Sequence, residues 1–181
     1  MNALGILAGL FRAFIAGVLL AALCATPAAA ISDGQNAPRF SVSSGDDKTL
    51  TSEMLKGKIV VMFYEARSAI EVNRPLKNAL NAFFAAQSPA VQKDVARVAI
   101  VRCSNFFPTT WRRSLREHSK QEGITIYGDW DGSMEKDYGM ASDSSNFLII
   151  DRAGVVKYAE NGAVPKEEFP AIEKLLDGLS R

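Results

Sequence analysis

A lone cysteine, a serine and a glutamate three residues apart, one histidine and a short acidic cluster are the side chains here that could do chemistry. Cys103 follows the apolar run Val98–Val101, with Arg102 beside it and Arg112, Arg113 and Arg116 soon after. Positive charge close to its thiol would lower the pKa and make it nucleophilic at neutral pH. The competing role is packing, because free cysteine is among the most buried residue types. Ser68 and Glu71 have the Ser-x-x-Glu spacing of a capping box, in which both side chains accept from backbone amides at a helix start. As a nucleophile Ser68 would need a positioned base, and the only histidine, His118, falls on another element, so a hydrolase is not expected. Arg67 precedes the same helix start and could hold an anion or a partner's carboxylate, or stand in solvent. Asp129, Asp131 and Glu135 lack the remaining ligands and spacing of a calcium loop. They read as a turn and a capped helix, and no metal or cofactor site is expected.

These residues need a frame. The run Ile59–Tyr64 is apolar at every position and rich in β-branched types, which reads as a strand buried on both faces. Val72, Leu76, Ala79, Leu80, Phe83 and Phe84 then recur at helical spacing, predicting a helix over about 68–87 that Pro75 either kinks or helps to start. Val98–Val101 is the next strand, and the strand, helix, strand order implies a parallel pair. A basic helix follows Thr109 and Thr110, either of which could cap it, with Trp111 and Leu115 inward and the arginines and His118 in water. Ile124–Tyr127 is a further strand, then a turn and a short helix ending near Tyr138-Gly139. Phe147–Ile150 and Val155–Tyr158 flank a turn containing Gly154 and read as a hairpin. Phe169, Ile172, Leu175, Leu176 and Leu179 form one face of a last helix that starts near 166–169, with Pro170 in its first turn. A short strand over Arg39–Val42 opens the domain. The fold class is α/β, with a central sheet flanked by helices.

Residues 1–30 carry one charge, Arg12, followed by an apolar run from Ala13 to Leu23 and an Ala28-x-Ala30 pattern. This is expected to be a cleaved signal peptide, with residues 31–181 as a single exported domain in the periplasm. The apolar run is too short for a stable anchor, and Leu23 is too large to precede a lipidated Cys24. Loss of Arg12 leaves 20 basic residues against 20 acidic, so bulk affinity for nucleic acid or membrane is not expected. Only Cys103 survives cleavage, which excludes an intrachain disulfide but allows a homodimer linked through Cys103.

The run Ala37-Pro38-Arg39-Phe40, then Leu50 to Leu55, Gly57-Lys58 and the buried strand, resembles the opening of the redoxin branch of the thioredoxin superfamily. Gly128 to Gly132, Tyr138-Gly139, Phe147 to Asp151 and Gly154 resemble its second half. Ser68-Ala69 with Glu71 and Asn73, Arg113-Ser114-Leu115, Ser144-Ser145, Asp151-x-x-Gly154 and Gly162-Ala163 are similar to the YtfJ family, small periplasmic thioredoxin-like proteins without a well-defined activity. The resemblance implies a thioredoxin-like three-layer sandwich with a mixed sheet. Redoxins place two cysteines where the buried strand gives way to the helix, and here that stretch is Arg67-Ser68-Ala69-Ile70-Glu71. The family's cis-proline, expected before the Phe147 strand, is replaced by Asp143-Ser144-Ser145-Asn146. The resemblance thus implies a redox-inactive protein that binds an envelope protein or small ligand at an edge made by Arg67, Ser68, Glu71, Cys103, Ser144 and Ser145. The rival is a single-cysteine redoxin, a thiol peroxidase or mixed-disulfide former using Cys103, and a third reading is an assembly or stability factor for envelope proteins.

Overall fold

A computed structural model describes residues 30–103 and 107–181; the leader expected over residues 1–30 lies, but for its last residue, outside them. The strands are β1 (Ser41–Ser44), β2 (Thr49–Thr51), β3 (Ile59–Glu65), β4 (Val95–Arg102), β5 (Ile126–Asp129), β6 (Ser145–Ile150) and β7 (Val156–Asn161). The helices are α1 (Arg74–Ala85), α2 (Pro89–Asp94), α3 (Pro108–Glu122), α4 (Ser133–Tyr138) and α5 (Phe169–Ser180). One mixed sheet runs in the order β2-β1-β5-β4-β3-β6-β7. β3 pairs in parallel with β4 and antiparallel with β6, and β4 pairs in parallel with β5.

The alternation of side chains along β3 divides the core. Ile59, Val61 and Phe63 meet Leu76, Leu80 and Phe84 of α1 and Ile172 and Leu176 of α5 on one face. Val60, Met62 and Tyr64 meet Met134 and Tyr138 of α4 and Phe40 of the opening segment on the other. Every residue of β3 is buried, as a strand apolar on both faces requires. A smaller cluster of Val101, Cys103, Leu115 and Ile126 seats α3 beside the end of β4.

Several boundaries differ from the sequence expectation. α1 begins at Arg74, with Pro75 in its first turn and without the kink that periodicity allowed. Residues Arg67–Ala69 form a separate 3-10 turn whose cap is Ala66, so Ser68 and Glu71 do not make a capping box. The proline fixes where the helix can start, and Asn73 at that point turns into the protein rather than onto the helix end. α3 starts at Pro108 and is capped by neither Thr109 nor Thr110. The hairpin of β6 and β7 turns at Gly154, whose positive φ of 84° favours glycine. β2 and α2 lay below the reach of periodicity; α2 is six residues long, held by Ser88 accepting from the Val91 amide and by Pro89 at its start.

Candidate functional site

β3 and β4 run parallel, and the register that places Glu65 beside Val101 brings their C-terminal ends to one edge of the sheet. The 67–69 turn, Cys103 and the start of β6 gather there. Arg67 is not simply solvated: its guanidinium lies over the Trp111 ring, 5.7 Å from the centroid. Trp111 packs in turn against the cluster that contains Cys103. Ser68 is exposed, and Glu71 is exposed and paired with Arg74 at 2.7 Å. Arg74 also reaches Glu122 of α3 at 3.0 Å, joining the two helices.

Beneath the edge lies a buried polar network. Glu65 ends an otherwise apolar strand, and its carboxylate is met by Lys77 Nζ at 2.6 Å and by the Ser145 hydroxyl, which donates to Oε1 at 2.9 Å. Asn73 Nδ2 donates to Ser145 Oγ at 2.9 Å and to the Gly162 carbonyl at 2.8 Å. Its Oδ1 accepts from the Val164 amide at 2.9 Å. Burial raises the Glu65 carboxyl above its ordinary value, against the opposing pull of Lys77 and Ser145. Ser144 takes part through its backbone, its carbonyl accepting from the Ala66 amide at 2.9 Å.

Cys103 sits two residues beyond Val101 and is buried. A Cβ added at Gly128 would lie 2.8 Å from its sulfur and 2.9 Å from the Trp130 ring, so glycine there makes room for the thiol. Burial, with a smaller contribution from the Asp129 carboxylate, pushes the thiol pKa up to about 12. The arginines expected to lower it are engaged elsewhere. Arg102 pairs with Glu135 at 2.5 Å, Arg112 with Asp47 and the Trp130 face, Arg113 with Glu117 at 4.0 Å, and Arg116 with the Gly45 carbonyl.

No protein-family model matches the sequence, and no curated protein matches it significantly. Solved structures do match. A candidate thiol:disulfide interchange protein DsbE from Chlorobium tepidum aligns with a TM-score of 0.63 and 18% identity, covering 84% of this chain and all of that one. A thiol peroxidase from Chromobacterium violaceum aligns with a TM-score of 0.60 and 20% identity, over 84% of this chain and 90% of that one. A candidate thioredoxin from Neisseria meningitidis aligns at 0.57 and 16%, over 82% and 92%. The chain has a thioredoxin-like fold.

At these identities the likeness carries the fold and nothing of the chemistry. Within a thioredoxin-like fold, the end of β3 and the turn that follows it hold Glu65 and Arg67–Ala69, with no cysteine. Of the six residues expected at the edge, Arg67 stacks on Trp111, which packs on the cluster holding Cys103, Ser145 joins Glu65, and Ser144 contributes its carbonyl. Ser68 and Glu71 stand outside the network. Glu65, Asn73 and Lys77 escaped the sequence reading, although a lone acid closing an apolar strand and a cation twelve residues later were visible. On the other sheet face, Tyr64 donates to Asp129 Oδ2 at 2.9 Å, and that oxygen also accepts from the Glu135 amide at 3.1 Å. Asp129 therefore anchors α4, and burial raises its carboxyl.

Proposed function

We propose that this chain is an exported periplasmic protein, released by cleavage before Ile31 and allied to the YtfJ family, that is redox-inactive. It works by binding an envelope protein or a small ligand at the edge around Arg67, Ser68, Glu71, Cys103, Ser144 and Ser145. The observation that carries this reading is the state of the one thiol. Cys103 is buried in a cluster with Val101, Leu115 and Ile126 and lies against Gly128, with its pKa pushed up to about 12, so almost none of it is thiolate at neutral pH. The interior of the edge is a satisfied polar network centred on Glu65, which rigidifies the surface without supplying a nucleophile. A disulfide-linked dimer through Cys103 would require the buried sulfur to come out, so partners are taken as noncovalent.

The test is thiol labelling. Native protein should resist a thiol reagent at neutral pH and take up one equivalent once denaturant is added. Rapid stoichiometric labelling of the native protein would favour the single-cysteine redoxin instead. An assembly role predicts envelope partners that co-purify equally well with Cys103→Ala.

A further inference from the structure

β4 lies in the middle of the sheet, between β5 and β3, yet one of its faces is incompletely covered around Arg97 and Ala99. Val98 and Ile100 are buried on one side; on the other Val95 and Val101 are buried at the two ends, and only between them is Arg97 exposed and Ala99 partly covered. A central strand is ordinarily covered on both faces. Here α1 packs toward α5 and α3 toward β5 and β1. A groove of about 640 Å³ is left between α1 and α3, within the range of small-molecule sites.

The groove is polarised. Its floor is apolar, made by Phe63, Ala99, Val101 and Leu115. The end nearest the edge is rich in acids already matched by cations, Glu65 with Lys77 and Glu71 and Glu122 with Arg74. At the opposite end Arg97 stacks over Phe84 at 5.6 Å and bonds the Asn81 side-chain carbonyl, and Asn78 also lines the wall. Among the described residues no carboxylate pairs with Arg97, so that end presents an uncompensated guanidinium beside two neutral amides. From Arg97 to Val101 the strand offers about 13 Å of floor at some 3.3 Å per residue. An extended alkyl chain with carbon–carbon bonds of about 1.5 Å advances roughly 1.25 Å per carbon, which matches a chain of about ten carbons.

We infer that this groove binds a medium-chain alkyl carboxylate, its anionic head at Arg97, Asn78 and Asn81 and its chain laid over Ala99 toward Trp111. The inference goes beyond the edge proposed above, with which the groove shares only Arg67 and Glu71, and names a ligand class; it is independent of whether Cys103 reacts. Arg97 suits the head because a guanidinium meets a carboxylate through two parallel bonds.

The test uses the mature protein titrated with hexanoate, octanoate, decanoate and neutral octanol, followed by amide chemical shifts and tryptophan fluorescence. Octanoate should bind roughly tenfold more tightly than hexanoate, from two further buried methylenes. It should exceed octanol by about tenfold, from the charge-assisted bonds. Shifts should concentrate at Arg97, Ala99 and Leu115. Arg97→Gln, at an exposed position, should abolish the preference for carboxylate over alcohol, and Ser114→Phe on the groove wall should block all the probes. Equal affinity for octanol and octanoate, equal behaviour of wild type and Arg97→Gln, shifts elsewhere, or no binding up to the solubility limit would each overturn the proposal. If binding fails while native Cys103 stays unlabelled, only the ligand class falls. If binding holds and Cys103 labels rapidly, only the redox-inactive reading falls.

Discussion

Cys103 and Glu65 sit at neighbouring strand ends, and burial raises the pKa of both. A thiol whose pKa is pushed up to about 12 alkylates in proportion to a very small thiolate fraction. The native alkylation rate should climb about tenfold per pH unit from 7 to 10 with no plateau, measured on protein shown to stay folded. A plateau near pH 7 or 8 would mean that the thiol is activated. Gly128 is the residue that admits the sulfur, since a Cβ there would meet it at 2.8 Å. Gly128→Ala should cost about 1–3 kcal/mol in denaturant unfolding, and Cys103→Ala in the same chain should return part of it. Lys77 is the partner without which Glu65 would be an isolated buried carboxylate. Lys77→Met should destabilise by about 3–5 kcal/mol near neutral pH, and by less in acid, where Glu65 takes up a proton.

At the scale of elements, the site depends on Asn73, which ties the start of α1 to Ser145 and to the chain beyond β7 through three hydrogen bonds. Asn73→Ala leaves the buried Val164 amide without its acceptor and should cost about 2–3 kcal/mol, read as a lowered urea midpoint. Asn73→Asp keeps that acceptor but sets a carboxylate oxygen against the Gly162 carbonyl in a buried site, and should cost at least as much. This junction also shows where sequence reading stopped. β3, β4, the β6–β7 hairpin and α5 were legible because their apolar periods are strong and local. α1 was legible as a helix but not at its start, because Ser68 and Glu71 fit a capping box whereas the helix takes Asn73, five residues downstream, as its N-cap position, with Pro75 in the first turn. Asn73 looked like an ordinary polar turn residue, and its partners lie 72 to 91 residues away, a distance no local pattern reports. The resemblance led to the strand ends around Arg67 and Cys103, while the Glu65 network and the partly uncovered face of β4 arise only from how the elements pack.

Across the whole molecule, the raised carboxyls set the pH dependence. Glu65 and Asp129 hold their protons above the ordinary carboxyl range because burial disfavours the ionised forms. In that window the folded chain binds more protons than the unfolded chain, so their contribution is complete in acid and is lost as pH rises through the folded values. Thermal unfolding followed upward from the ordinary carboxyl range should show this loss, and Glu65→Gln should flatten it; an unchanged profile would mean that the Glu65 carboxyl is not raised. Export is a second whole-chain matter. Ile31 donates its amide to the Tyr138 carbonyl at 3.0 Å and packs on the core, so a chain beginning at Ile31 keeps its anchor. N-terminal sequencing of periplasmic protein should read Ile31 first, and a retained Met1 would contradict the cleaved leader. The most direct test of the central claim, a thioredoxin-like fold rebuilt for binding rather than redox chemistry, is peroxide consumption by the purified mature protein beside Cys103→Ala. The two should be indistinguishable; consumption by wild type that disappears in Cys103→Ala would contradict the account.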